Sequence, residues 1–425
     1  MQKVILFLLI FIVHGFHYSA AYSQEQKKLS IKDLEQQFIQ KNYQLLAAKY
    51  SIEKADAEIL QSKLWKNPSL SISQVNLWSN TSADDLPYLF GNYGNHQQFA
   101  FDLEQVIETA GKRRKRVDLK TTEKNTVLLE FEQLVRELKM NLRLAFIDLQ
   151  QITQEKKQLS VLLDYYGELS EHFRKQMEKQ NFSKAEYYRI QTAYIDLKQQ
   201  LISWNAEEAE ALQQLKILTQ IPNLTTEMLE FGEYQEPDIS RKIPEDIIES
   251  AKDSSILKQH AQQQLLFAEQ QLKLEKANAS PDVRILMNYD RGGSMMRDFF
   301  GIGIGIDLPF FDRNQGNIKS AQAQLEQQKY QLTSLEINLE TSITKLIQQL
   351  RSYEELLSQF PKTSFEEFQT LIESYIRHLK NKQVSLFEFI DFTDAYVKAQ
   401  GNYFSVEKNY LRTFEQLQYL IGKDL

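Results

Sequence analysis

Two hydrophobic periods alternate along this chain. Leu134, Leu138, Leu142, Ala145 and Leu149 recur at three and four positions, which lines one face of an α-helix. Between Phe299 and Leu308 the period falls to two. Phe300, Ile302, Ile304, Ile306 and Leu308 share one face, and Gly301, Gly303, Gly305 and Asp307 share the other. That predicts a β-strand with one apolar face and one small or polar face. The glycines do not make a nucleotide loop. A dinucleotide fingerprint needs a small residue where Ile306 or Leu308 stands, and no Lys-Ser or Lys-Thr follows as in a P-loop.

The helical stretches are long. Between Lys112 and about Gln180 there is no proline and a single glycine, Gly167. A helix of that length reaches roughly 100 Å and implies coiled-coil packing. A second runs from Asn317 to about Lys380, with a kink or break expected at Pro361. Each ends in a turn with a capping-box signature. Ser183 precedes Glu186 in "NFSKAEYY", and Ser385 precedes Glu388 in "QVSLFEFI". A shorter helix returns from each tip.

The chain also repeats itself. "LAAKYSIEKADAEILQSKLWKNPSLSISQVNLW", starting at Leu46, parallels "LKQHAQQQLLFAEQQLKLEKANASPDVRILMNY", starting at Leu257. Both read as an amphipathic helix that ends before a proline, Pro68 or Pro281, and then switches to period two. A second strand follows in each half. In the first, Phe99, Phe101 and Leu103 oppose Asp102. Asp102 lies nine residues before Gly111, as Asp307 does before Gly316. The strands are expected at about 69–78, 97–106, 283–291 and 299–309. The organisation predicted is a leader over 1–23, a first repeat over 24–230, a connector over 231–246 and a second repeat over 247–425.

Composition narrows the chemistry. The chain has no cysteine, which excludes disulfides, thiolate metal sites and cysteine nucleophiles. "MQKVILFLLIFIVHGFHYSAAYSQ" carries Lys3, an apolar core from Val4 to Val13, and Ala21 and Ser23 at the −3 and −1 positions. It reads as a secretory signal peptide cleaved before Gln24. No later segment is apolar for long enough to span a bilayer as a helix, so entry into a membrane would require a barrel. Beyond the leader, His96, His172, His260 and His378 do not stand at ligand spacing. No G-x-S-x-G, H-E-x-x-H or EF-hand pattern occurs. Neither catalysis nor a cofactor is expected. The net charge of −7 is spread along the chain, which gives no case for nucleic acid. One basic run, Lys112, Arg113, Arg114, Lys115 and Arg116, opens a helix against its macrodipole. If the strand before it enters a membrane, these residues are expected to meet lipid phosphates at the headgroup level. The other reading is a solvated helix end.

The order of these features is specific. A leader, duplicated helix–strand–strand–helix halves, "NP" and "SP" before the first strand of each pair, and "GKRR" and "NQG" after the second resemble the TolC-type outer-membrane efflux proteins. The resemblance covers about residues 30 to 422. "LPFFDRNQGNI" and "GKRRKR" are most similar to the heavy-metal branch, the CusC- and CzcC-type channels.

The resemblance implies a mainly α fold with a membrane β-barrel. Three copies would share a twelve-stranded barrel, four strands from each, above a periplasmic helical tunnel. It implies the outer membrane of a Gram-negative bacterium, a periplasmic adaptor and an inner-membrane RND-type pump as partners, and no enzymatic activity. Many members of that branch carry a lipidated cysteine, which this chain lacks. Ile302, Ile304 and Ile306 would face lipid, and Gly301, Gly303, Gly305 and Asp307 the lumen. Loops Ser79 to His96 and Arg291 to Asp298 would face outside, with Trp78, Tyr88 and Tyr93 either interfacial aromatics or a loop cluster. Glu388 and Asp391 would line the periplasmic aperture, with Asp394 one turn further on. Glu388 is also the capping residue, so its position admits either role. Glu186 and Arg189 occupy the equivalent first-half tip, where Arg189 is expected to pair with an acid of the neighbouring hairpin and hold the gate shut. The function implied is the exit duct of a tripartite efflux system, with heavy-metal cations as cargo. A multidrug or type I secretion duct is the alternative within the class. A soluble periplasmic coiled-coil adaptor is the alternative outside it.

Overall fold

The computed structural model describes residues 28–75, 85–231, 243–292, 296–360, 363–381 and 383–425, without the side chains of 363–369. The expected leader, Trp78 and Pro361 lie outside the described residues. The first half contains α1 (Ile31–Lys41), α2 (Tyr43–Lys63), β1 (Ser69–Ser73), β2 (Ala100–Ile107), α3 (Lys112–Glu178) and α4 (Lys184–Thr219). The second contains α5 (Ile247–Ser254), α6 (Ile256–Asn278), β3 (Val283–Asp290), β4 (Phe299–Ile306), α7 (Gln315–Gln359), α8 (Thr363–Lys380) and α9 (Leu386–Ile421).

The strands form one antiparallel sheet in the order β1-β2-β3-β4. The helices that flow into or out of them pack in the same lateral order, α2 on α3, α3 on α6 and α6 on α7. Each strand therefore continues one helix. Pro68 and Pro281 help to end the incoming helices, because the residue before proline is pushed out of the helical region. Outgoing helices restart after Gly111 and Asn314, both left-handed at φ 66 and 57.

All four strands are shorter than expected, β1 and β4 most at their ends. β1 stops at Ser73 because Gln74 takes a left-handed backbone, φ 54. β4 stops at Ile306, ahead of Pro309, which has no N–H for a ladder. The helix α3 runs for 67 residues, about 100 Å at 1.5 Å per residue. The second long helix is interrupted between Gln359 and Thr363. The corner between α1 and α2 has a weaker signal in the sequence. Buried Asn42 makes it: its Oδ1 accepts from the N–H groups of Gln44 and Leu45, and its Nδ2 donates to the carbonyl of Leu218 on α4 at 3.0 Å.

Three apolar cores follow the helices. One joins Phe38, Leu142, Phe146 and Leu215. A second joins Ile247, Leu350, Phe414 and Leu417. The third, near the tips, joins Tyr166, Phe173, Ile190 and Phe389. Arg143 ties the first two together, bonding Glu35 of α1 and Glu415 of α9.

The junction between sheet and helices shows what the basic run touches within the chain. Lys112 is 8% exposed. Its Nζ donates to Asp282 Oδ1 at 2.6 Å and to the Ser280 carbonyl at 2.7 Å. Arg116 makes a two-pronged bond to Glu108, 2.9 Å on each arm. That bond holds the Glu108 carboxyl below its ordinary range. Arg113 lies 4.0 Å from the centre of the Trp65 ring, and Lys115 bonds the Ala110 carbonyl. Only Arg114 of the five is exposed. Carboxylates of the same chain thus hold Lys112 and Arg116. Lys112→Ala would leave Asp282 without its main partner and is expected to cost on the order of 2 kcal/mol. Denaturant unfolding checks this, with Lys112→Met/Asp282→Leu expected to be milder because neither charge remains.

Candidate functional site: the sheet faces and the helix tips

The sheet register decides which side chains share a face. Ile72, Phe101, Tyr289 and Phe300 stand in one row, and Leu70, Leu103, Met287 and Ile302 in the next. Ile285 and Ile304 extend the same face. No described helix covers it: Ile302 is 70% exposed and Ile304 72%. A contiguous apolar surface of this kind needs an apolar environment. β1 and β4 also leave their outer N–H and C=O groups without a strand partner among the described residues.

The opposite face is mixed, with Leu286 and Phe299 beside Gly303 and Gly301 among polar side chains. Asp102 accepts from Asn288 at 2.6 Å and from Ser73 at 3.2 Å. Arg284 donates to Asp307 at 2.7 Å. Gly301, Gly303 and Gly305 lie on this face, as expected. The space beside Gly305 is occupied: a Cβ there would stand 3.3 Å from Arg284 Nε. This glycine makes room for an arginine lying across the strand, so the row is only partly open. Beyond the strands, Tyr93 stacks on Phe90 at 5.3 Å within the loop, and Tyr88 is exposed beside them.

At the far end of the helices, both capping boxes form. Glu388 Oε2 accepts from the backbone N–H and the hydroxyl of Ser385, each at 2.9 Å. These bonds hold its carboxyl below the ordinary range. Glu186 makes the same bonds to Ser183. Arg189 has no ion pair among the described residues. It lies over the Phe387 ring of the other hairpin, 5.5 Å from its centre. Within the chain, Arg189 therefore joins the two hairpins through a cation–π contact.

A groove of about 800 Å³ separates the starts of α4 and α9. Asp394 lines it opposite Asp196, with Arg189 and Lys398 at its walls. Asp391 is exposed nearby. Sequence reasoning missed Asp196, because only the meeting of two distant hairpins brings it to Asp394. Asp394 is itself exposed at the groove, and partial desolvation there, followed by the Asp196 and Asp391 carboxylates, holds its carboxyl above its ordinary value. A raised carboxyl favours the protonated folded form. Stability at this site is therefore lost as pH rises from the ordinary carboxyl value through the raised one. Asp394→Asn is expected to raise the Tm near pH 7 while leaving it close to wild type near pH 4. Equal shifts at both pH values would show that its charge does not matter.

Among the described residues, no group of acidic and histidine side chains is arranged to hold a metal ion. No described helix is long and apolar enough to cross a membrane. No family model matches the sequence, and no curated protein matches it. Solved structures do match. CmeC, an outer membrane channel of Campylobacter jejuni, has a TM-score of 0.75 at 14% identity, covering 94% of this chain and 86% of its own. CusC, described for its transmembrane channel formation, has 0.70 at 13% identity and covers 94% of both chains. VceC, an outer membrane protein of Vibrio cholerae, has 0.70 at 12%, covering 92% of this chain and 96% of its own. The chain has the fold of these TolC-type channels.

Proposed function

We propose that this protein is one protomer of a trimeric outer-membrane exit duct in a tripartite efflux system. One observation carries the reading: an uncovered apolar sheet face bounded by two unpaired strand edges. Lipid covers such a face without cost, and only ring closure removes the edges. The eight-residue strands are about 26 Å long, close to the apolar band of an outer-membrane barrel. The edge helices support the same closure. On α2, Tyr43 and Tyr50 are exposed seven residues apart, as are Tyr330 and Ile337 on α7. That is the spacing of one repeated position in a heptad seam, which a neighbouring copy would cover. The two seams continue the two open strand edges, so one closure buries both. The mixed face, with Asp102, Glu104, Arg284 and Asn288, would then line a wet lumen.

The duct does no chemistry in this reading. The tips would form its periplasmic gate, opened when an adaptor and an inner-membrane RND-type pump engage. Heavy-metal cations are the proposed cargo, supported by the "LPFFDRNQGNI" resemblance and by the Asp391, Asp394 and Asp196 cluster. Ionised carboxylates at a constriction raise the local cation concentration. Glu388 belongs first to its helix cap.

Ile304→Asp places a charge in the middle of the proposed lipid face, at a cost on the order of 2 kcal/mol or more. Heat-modifiable trimer in the outer-membrane fraction is expected to fall sharply. Normal assembly would remove that face from lipid. Cargo is tested by growth of a deletion strain on copper, silver, zinc and cobalt beside dyes and detergents. Sensitivity confined to metals is expected. Sensitivity confined to dyes and detergents would keep the duct and reject the cargo.

A further inference from the structure

The two flanks of the protomer have complementary shapes at one height. On the β4 flank the chain leaves the sheet through Leu308, Pro309, Phe310 and Phe311. Phe311 is 97% exposed and Phe310 68%. The loop is nonetheless fixed. Asn314 Nδ2 donates to the Glu275 carbonyl, and its backbone N–H donates to Asp312 Oδ1, each at 2.8 Å. Arg313 Nε donates to the Pro309 carbonyl at 3.2 Å. The result is a preorganised apolar knob.

On the β1 flank there is a groove of about 860 Å³ beside Trp65, bounded by Leu64, Lys66, Asn67 and Lys120. Arg113 lies over the Trp65 ring, yet Trp65 remains 54% exposed. Lys66 is also largely open. Its ion pairs to Glu108 and Asp282 are long, 3.9 Å each.

Contacts across the protomer relate the two heights. Asn314 bonds Glu275 on α6, Lys112 bonds Ser280 at the end of α6, and Arg113 lies over Trp65 beyond α2. These steps run from the knob at one flank to the groove at the other. Ring closure sets the β4 flank of one copy against the β1 flank of the next. We infer that Phe311 of each copy seats in the Trp65 groove of its neighbour and locks the seam where sheet meets helices. This rests on the proposed ring.

The charges agree with that occupant. Asp312, beside the knob, would come against Lys66, whose ion pairs are long, at the groove rim; Lys120 is already held by Glu58 and Glu123 at 2.8 Å each. Phe311 would add an aromatic contact to the exposed part of Trp65, a pairing that large rings favour. A lipid chain at the same height would satisfy Phe311 but would leave Lys66 with only its two long ion pairs.

The absence of cysteine makes the test clean. Lys66→Cys/Asp312→Cys keeps both Phe311 and Trp65 and supplies the only two thiols. Oxidation or a short bismaleimide, applied in outer membranes, is expected to shift the denatured band from monomer to covalent trimer. Tyr50→Cys/Tyr330→Cys reports the ring independently, through the coiled-coil seam. Linkage at that seam but not at the knob overturns this inference and leaves the ring standing. Linkage at neither overturns both. Bilayer-soluble maleimide labelling of Phe311→Cys, without linkage at the knob pair, would place the loop in lipid and also overturn it. Phe311→Ala is expected to lower the temperature at which detergent-resistant trimer dissociates, and Phe311→Tyr to restore it. An unchanged dissociation temperature for Phe311→Ala argues the seam is closed without the knob and overturns the lock.

Discussion

An antiparallel sheet left open at both edges is the constraint on which this molecule turns. Every backbone N–H and C=O at the rims of β1 and β4 needs a partner, and in lipid no water can supply one. Four strands of this length cannot curl round to meet each other. In the proposed ring, that problem is solved by other copies. Both rims are kept clear of helices, and the edge helices α2 and α7 carry their exposed Tyr and Ile stripes along the same two flanks.

The junction between sheet and helices has a separate problem. A basic segment begins a helix whose dipole disfavours it, at a level where the protein narrows to a single layer. The solution is local pairing: Lys112 with Asp282, Arg116 with Glu108, Arg113 over Trp65. Because Lys112 belongs to the first half and Asp282 to the second, the pair also fixes how β2 and β3 meet at the centre of the sheet. Burial makes such a pair expensive to break and weakly stabilising in itself. Its value lies in register rather than in net stability.

The tips show the opposite balance. Their acidic side chains divide into two kinds. Glu186 and Glu388 are spent on closing their own helix starts, and the bonds to Glu388 favour its ionised form. Asp394, facing Asp196 across a groove, is held toward the neutral form. Charge at the tips thus costs stability only where the two hairpins approach each other. A gate built here would be loosest where its carboxylates are ionised and most crowded.

The sequence by itself determined the local elements. Period two at Phe300 to Leu308, the absence of breakers from Lys112 to Gln180, and Ser-x-x-Glu at 183 and 385 each act within a few residues, so each could be read directly. It also placed the apolar and small faces of β4, because alternation on a strand is purely local. Strand ends were less legible, since the left-handed turn at Gln74 has no glycine to announce it. The partners of the basic run, the meeting of Asp196 with Asp394, and the cation–π contact of Arg189 with Phe387 were decided only by the tertiary structure. Each joins residues from different halves or distant turns, and a charge in sequence carries no mark of which opposite charge, ring or lipid will satisfy it.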